Sequence, residues 1–229
     1  MITLFLETST GTTGIAVTRD GRTVAESVTD SPGRKQNSWL LPEIERMLTA
    51  ASLCLANIDL FACTKGPGAF TGIRTGIATI QGLAFATSKP ATGISSLAML
   101  AMNLPHAAFN VCPMLDARKN EVYAGLYRVS ELSEPLLQDR AVRPEELFDS
   151  IDGDTIFIGD GAVKFHDLIY SRLGNMAHFP PASHNNPRPS SGAWLAEAAF
   201  KSGAESAPEK LLPSYLRLSE AEISRQQKF

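Results

Sequence analysis

Apolar and polar positions along the chain change period several times, and each change marks an element. Ile2-Thr3-Leu4-Phe5-Leu6 is a short β-rich run, Thr8 to Thr13 a small polar turn, and Ile15-Ala16-Val17 a second strand. Asp20-Gly21 is a hairpin turn, and Arg22 to Val28 reads as a third strand, so the chain opens on an antiparallel meander. Ser38 can cap a helix in which Leu40, Leu41, Ile44, Met47, Leu48 and Ala51 recur mostly at steps of three and four. Leu60-Phe61-Ala62-Cys63 is a continuous apolar run of buried-strand type. After the glycine-rich stretch 66–72 the pattern predicts a second helix over Ile73 to Ala86, stopped by Lys89-Pro90. Thr92-Gly93-Ile94 returns as a strand, and Ser95-Ser96 caps a short helix through Met102.

The second half repeats the first. Met114-Leu115-Asp116-Ala117-Arg118 followed by Val122 to Tyr127 matches Phe5-Leu6-Glu7-Thr8-Ser9 followed by Gly14 to Val17: strand, acidic residue, polar turn, strand. A weaker echo pairs Phe61 to Phe70 with Phe157 to Phe165, each a strand running into glycine. Two echoes in one order point to a duplicated β-β-β-α-β-α unit and an α/β fold of two lobes, 1–104 and 105–229, divided near Leu104-Pro105. Asn185 to Ser190 is the clearest surface loop, Gly192 to Lys201 an Ala-rich amphipathic helix, and Glu220 to Phe229 a polar tail expected to fray.

Composition narrows the function classes. The chain has 229 residues, and its 21 Lys plus Arg stand against 24 Asp plus Glu, a net charge of −3. It lacks the basic excess that neutralising many phosphates requires, so it is a poor candidate for gripping nucleic acid alone. Cys54, Cys63 and Cys112 are odd in number and form no C-x-x-C pair, against a disulfide framework or a zinc ribbon. There is no basic leader followed by an apolar core and no run long enough to cross a bilayer, so a soluble cytoplasmic protein is expected.

The richest segment is Lys65 to Gly76, set between a strand and a helix. Backbone N–H groups at the helix start could meet an anion there. Yet Gly72 is followed by Ile73-Arg74 instead of Lys-Ser/Thr, and the third glycine comes one residue late for a dinucleotide fingerprint. The competing reading is a tight turn whose glycines let a helix pack closely on the sheet. In that helix Gly72, Gly76, Thr79 and Leu83 share one face and Ile73, Ile77, Ile80 and Ala84 another. Two such faces need two burial partners, either a second subunit or this chain's own second lobe.

Catalytic candidates are few. His106, His166, His178 and His184 form no i,i+4 pair. Asp160-Gly161 reads as a turn. Glu7 and Asp116 end the first strand of each half and could serve magnesium or general-base chemistry across a cleft, or simply accept local turn N–H groups.

Gly66-Pro67-Gly68-Ala69-Phe70-Thr71-Gly72-Ile73-Arg74-Thr75-Gly76 closely resembles the signature of the TsaB family, also called YeaZ. Supporting matches are Leu6-Glu7-Thr8-Ser9, Leu40-Leu41-Pro42-Glu43-Ile44, Asp116-Ala117-Arg118 and Pro213-Ser214-Tyr215-Leu216-Arg217. The resemblance implies a duplicated actin-like, sugar-kinase-like (ribonuclease H-like) fold. It implies a non-catalytic scaffold, with no catalytic residue, metal or cofactor, that binds the transferase TsaD, helped by the ATPase TsaE. That machinery makes threonylcarbamoyladenosine beside the tRNA anticodon, so tRNA is met only through the complex, and the isolated subunit forms a homodimer. Family contacts map to the two helices of the first half, here Leu41, Ile44, Met47 and Leu48 on one and Ile73, Gly76, Ile77 and Ile80 on the other. The family's histidine is replaced by Gln36, and its commoner serine by Ala69. A nucleotide-dependent enzyme using Glu7 and Asp116 around Mg-ATP and a metal-dependent peptidase are the competing functions.

Overall fold

The computed structural model describes residues 1–30 and 39–217; Gln36, the Ser38 cap and the tail from Glu220 lie outside the described residues. Strand β1 (Ile2–Glu7) pairs antiparallel with β2 (Thr12–Arg19), which pairs antiparallel with β3 (Arg22–Asp30). On its other side β1 runs parallel to β4 (Leu60–Thr64), and β4 parallel to β5 (Ala91–Ile94). The second half lays β6 (Asn110–Arg118), β7 (Glu121–Val129), β8 (Ser133–Val142), β9 (Thr155–Ile158) and β10 (Ala177–His178) in the same pattern. The sheet orders β3-β2-β1-β4-β5 and β8-β7-β6-β9-β10 correspond element for element, as the duplication read from two short echoes requires.

Helices α1 (Leu40–Ala50) and α2 (Phe70–Thr87) cover the outer face of the first sheet. The outer face of the second carries α4 (Pro144–Phe148), α5 (Asp160–Lys164) and α6 (His166–Leu173). The inner strands β1, β4 and β6 are buried on both faces, which is why they read as continuous apolar runs, whereas the edge strands β3 and β8 are mostly exposed or half-buried. Within them the period of two still sorts the side chains. Leu4, Leu6, Ile15, Val17, Phe61 and Cys63 point to α1 and α2, whereas Phe5, Ala16, Leu60 and Ala62 point the other way.

That inner face is closed by an exchange. Helix α7 (Pro189–Lys201), late in the chain, packs on β1, β2, β4 and β5, while α3 (Ser96–Ala101), from the first half, packs on β6, β7 and β8. A cut between 104 and 105 separates the sheets but leaves each sheet's inner helix with the other. Two carboxylates, Glu197 buried and Asp139 partly buried, fix the exchanged helices. Glu197 on α7 is fully buried and its Oε1 accepts from Thr3 Oγ1 at 3.1 Å and Thr18 Oγ1 at 2.7 Å. Ser95 caps α3, accepting from Leu97 N and Ala98 N, and donates to Asp139 on β8, which also accepts from the Tyr127 hydroxyl. Burial raises the Asp139 carboxyl above the usual carboxylate range.

Several boundaries differ from the sequence reading. Helix α2 starts at Phe70 instead of Ile73, because Ala69 is already in the extended cap conformation. Asp160 opens α5 instead of sitting in a turn; its Oδ1 accepts Asp116 N at 3.0 Å and so ties β6 to the start of that helix. The loop at 185–187 is tied down, with Asn103 Nδ2 donating to the carbonyls of His184 and Asn186 and Gly159 N donating to Asn185 Oδ1.

The inner layer tolerates little. A Cβ at Gly192 lies 2.3 Å from Phe5 Cζ and 2.9 Å from Met99 Sδ, so Gly192→Val is expected to cost about 1–3 kcal/mol, read as a lower denaturation midpoint at unchanged slope. Ile44 and Ile77 are 2% and 6% exposed beneath α1 and α2. Ile44→Asp or Ile77→Asp places an unpaired charge in that layer, and each is expected to lose near-UV circular dichroism at temperatures where the parent is folded.

Candidate functional site

The signature loop joins β4 to α2, and its glycines sit where other segments touch it. Gly66 and Gly68 have φ of +112° and +152°, and a Cβ on either would meet Ser214 O at 2.5 Å or Ser9 O at 2.2 Å. Gly76 lets α2 close on Thr8, whose Oγ1 would lie 2.4 Å from a Cβ there and which donates to Gly72 O at 2.7 Å. The Ala69 N–H is spent on Ser9 O at 2.7 Å. Of the two readings of the loop, close packing accounts for Gly66, Gly68 and Gly76. The face of Gly72 and Gly76 is occupied by this chain's own first loop, so it is not open to another subunit. The cis peptide joins Gly66 to Pro67.

The two carboxylates have different surroundings. Glu7 is fully buried; its Oε1 accepts Ser9 N at 2.8 Å, Ser9 Oγ at 2.7 Å and Thr10 N at 3.0 Å. Burial raises its carboxyl above the ordinary range, against the pull of those donors. Asp116 is partly exposed, held by Lys164 Nζ at 2.9 and 3.0 Å, and accepts Arg118 N at 2.9 Å. A cleft of about 620 Å³ opens between the lobes, bounded by Thr10, Phe70, Thr71, Asp116, Arg118 and Arg217 among others, and Glu7 is not part of its wall. Among the described residues no three His, Cys, Asp or Glu side chains gather closely enough to hold a metal ion. Among them, too, no helix is long and apolar enough to cross a membrane.

The residues assigned to a partner interface divide sharply. Ile44, Met47, Leu48, Ile73, Ile77 and Ile80 are all between 0% and 6% exposed, in one cluster with Leu4, Leu6 and Phe61, and Gly76 is buried beside them. Substitutions there report on folding. Leu41, by contrast, is 54% exposed. The outward positions of α2 are Thr71, Arg74, Ala78, Gly82, Phe85 and Ala86, and space around Gly82 is open. Phe85 is 57% exposed, and a groove of about 420 Å³ between the helices is lined by Leu40, Leu41, Arg74, Thr75, Ala78 and Thr79. Helical spacing alone identified both helices but not which side of each was already taken by the sheet.

The chain ends its described course as a strap over α2 and the cleft. Gln81 Nε2 donates to Pro208 O and Leu211 O, and Ser214 N donates to Lys65 O at 2.7 Å. Arg74 Nε donates to the Tyr215 hydroxyl at 2.7 Å, and the Tyr215 ring lies 4.6 Å from that of Phe70. Arg217 reaches Ala117 O at 3.3 Å and Glu121 at 3.1 Å. The conspicuous Pro213 to Arg217 run thus belongs with the glycine-rich loop in space, a link that no local pattern reveals.

Comparison with known proteins places these features. A family model described as TsaD, tRNA N6-adenosine threonylcarbamoyltransferase, matches residues 27–225. The tRNA threonylcarbamoyladenosine biosynthesis protein TsaB of Bacillus subtilis strain 168 is 31% identical over 229 residues, covering 97% of this chain and 96% of that protein. The solved structure of YeaZ from Pseudomonas aeruginosa superposes with a TM-score of 0.79 at 28% identity, over 93% of this chain and 100% of that one. Component A of the (R)-2-hydroxyglutaryl-CoA dehydratase of Acidaminococcus fermentans shares the fold alone, with a TM-score of 0.50 at 10% identity, covering 88% of this chain and 99% of that one. The duplicated α/β fold is therefore actin-like, as the sheet order indicates. Similarity that runs through both lobes, the glycine-rich loop and the strap assigns the chain to the TsaB (YeaZ) family.

Proposed function

We propose that the chain is a non-catalytic subunit of the machinery that makes threonylcarbamoyladenosine in tRNA, and that it docks a TsaD-type transferase through the outer surface of α1 and α2. The observation that carries this reading is the composition of that surface. Leu41, Ala78, Gly82 and Phe85 are exposed on neighbouring helices, and Arg74 is the only charge among the outward positions of α2. An exposed glycine in mid-helix costs stability relative to alanine, and its use is to let another backbone come close. Two further facts agree with a role without bond-making: Glu7 Oε1 holds its own loop and the carboxylate stays out of the cleft wall, and Asp116 is paired with Lys164. The ATPase TsaE joins the same assembly, tRNA is met through the complex, and two copies pair through exposed apolar surface when the chain is alone.

The transferase partner and the requirement for tRNA modification are tested together by pull-down and by reconstituted modification with and without this chain. Gly82→Arg is expected to leave the monomer as stable or to raise its stability by up to about 1 kcal/mol, since the position is open and glycine is a poor helix former. The same variant should lose the transferase in pull-down and abolish stimulation of modification; retained binding at parental affinity defeats the docking surface. Leu41→Glu is expected to weaken binding by about 30-fold or more at an unchanged melting temperature, measured by calorimetric titration.

Glu7 separates scaffold from catalyst. A glutamine keeps the acceptor Oε1 for Ser9 and Thr10 and removes the buried charge, so Glu7→Gln is expected to fold and to support full modification, whereas a catalytic or metal-binding carboxylate would not survive the change. Because burial raises the folded-state pKa of Glu7, the parent loses stability relative to Glu7→Gln as pH rises through the carboxylate range. Denaturation midpoints of the two proteins between acidic and neutral pH check that sign.

A further inference from the structure

The docking surface and the interlobe cleft are joined by one short covalent segment. At one end Arg74, on the outer face of α2, donates to the Tyr215 hydroxyl at 2.7 Å, and its guanidinium carbon lies 5.6 Å from the centre of the Tyr215 ring. Two residues on, Arg217 holds the β6–β7 rim of the cleft through Ala117 O and Glu121. Between them Leu216 packs on the apolar cluster that contains Leu97, Leu115 and Tyr123, the layer shared by α3 and the second sheet. Upstream the segment is fixed independently by Leu211, which is buried in the first lobe's core. Ser214 N is tied to Lys65 O at 2.7 Å, so the segment between that tie and the cleft rim is 215–217. Its contact with α2 includes a solvent-exposed hydrogen bond and a ring tilted against Phe70, and each is weak enough for a competing group to displace.

We propose that residues 215–217 are a strap that transmits contact on the outer face of α2 to the interlobe cleft. A docking group that draws Arg74 away from Tyr215 loosens the strap, and Arg217 then relaxes its hold on Ala117 and Glu121, freeing the β6–β7 rim. The strap link stands on the geometry of this chain alone; its trigger by a transferase rests on the docking surface proposed above.

Hydrogen exchange of the full chain, followed by mass spectrometry, tests the link. Arg217→Ala cuts the far end and defines full release of amides 115–121. Arg74→Ala and Tyr215→Phe, the second of which keeps the ring on Phe70, are expected to raise exchange at 115–121 by about two- to tenfold, the range that one net hydrogen bond supports, while amides of α7 keep their parental rates. Parental exchange at 115–121 in both variants, or in Arg217→Ala, overturns the strap, as does a uniform rise that includes α7. Addition of a TsaD-type transferase to the parent is then expected to raise exchange at 115–121 while protecting α2. Protection of α2 without any rise at 115–121 overturns the coupling and leaves the docking surface intact. Failure to protect α2 overturns the docking surface, and the free-protein comparison still decides the strap.

Discussion

Phe5 lies against the backbone of α7 at Gly192, and the architecture depends on that contact. It brings strand β1 against α7, the last α-helix among the described residues, with no room for a Cβ between them. Because α7 occupies the inner face of the first sheet, α3 is turned to the second, and the two sheets come to lie on either side of a shared helical layer. Buried and partly buried hydrogen bonds then define the alignment that apolar packing alone would leave loose: Thr3 and Thr18 onto Glu197 in one lobe, Ser95 and Tyr127 onto Asp139 in the other. Each of these carboxylates is costly to bury, and each sits where a helix from one half meets a sheet of the other.

The duplication was legible in the sequence because a strand pair carries a strong local signal. The apolar runs Leu4-Phe5-Leu6 and Met114-Leu115, each followed by an acid and a polar turn, survive even when the halves have otherwise diverged. The third strand of the second meander, β8, was implied by the repeat but carries no clean alternation, since Pro135 and Asp139 interrupt it. Strand β10 has two residues, too few for any period to register. The exchange of α3 and α7 was illegible for a different reason: an amphipathic helix states that it needs an apolar surface and not which sheet supplies it.

The candidate site shows the same limit at the level of single residues. Helical spacing placed Ile73, Ile77 and Ile80 on one face of α2 correctly, but burial assigns that face to the sheet. The informative positions were the ones that violate expectation for an exposed helix, a glycine at 82 and a phenylalanine at 85. In the signature loop the reverse holds. Gly66 and Gly68 are explained by the backbone oxygens of Ser214 and Ser9, residues remote in sequence, so the motif records a three-segment junction. A phosphate cradle and such a junction ask for the same glycines, which is why both readings stood until the neighbours were known.

The interleaving of the halves has a consequence for biosynthesis. As the chain leaves the ribosome, β1 to β5 are available to pair long before α7 has been made, so the Phe5, Leu60 and Ala62 side of the nascent sheet has nothing of its own to lie on. For the interval in which residues 95–188 are being translated, that half is a one-sided sandwich with a sticky underside, the kind of intermediate that chaperones recognise. Completion of the first sheet waits until α7 has been made, and a truncated transcript that spares the whole first lobe would still yield an aggregating product.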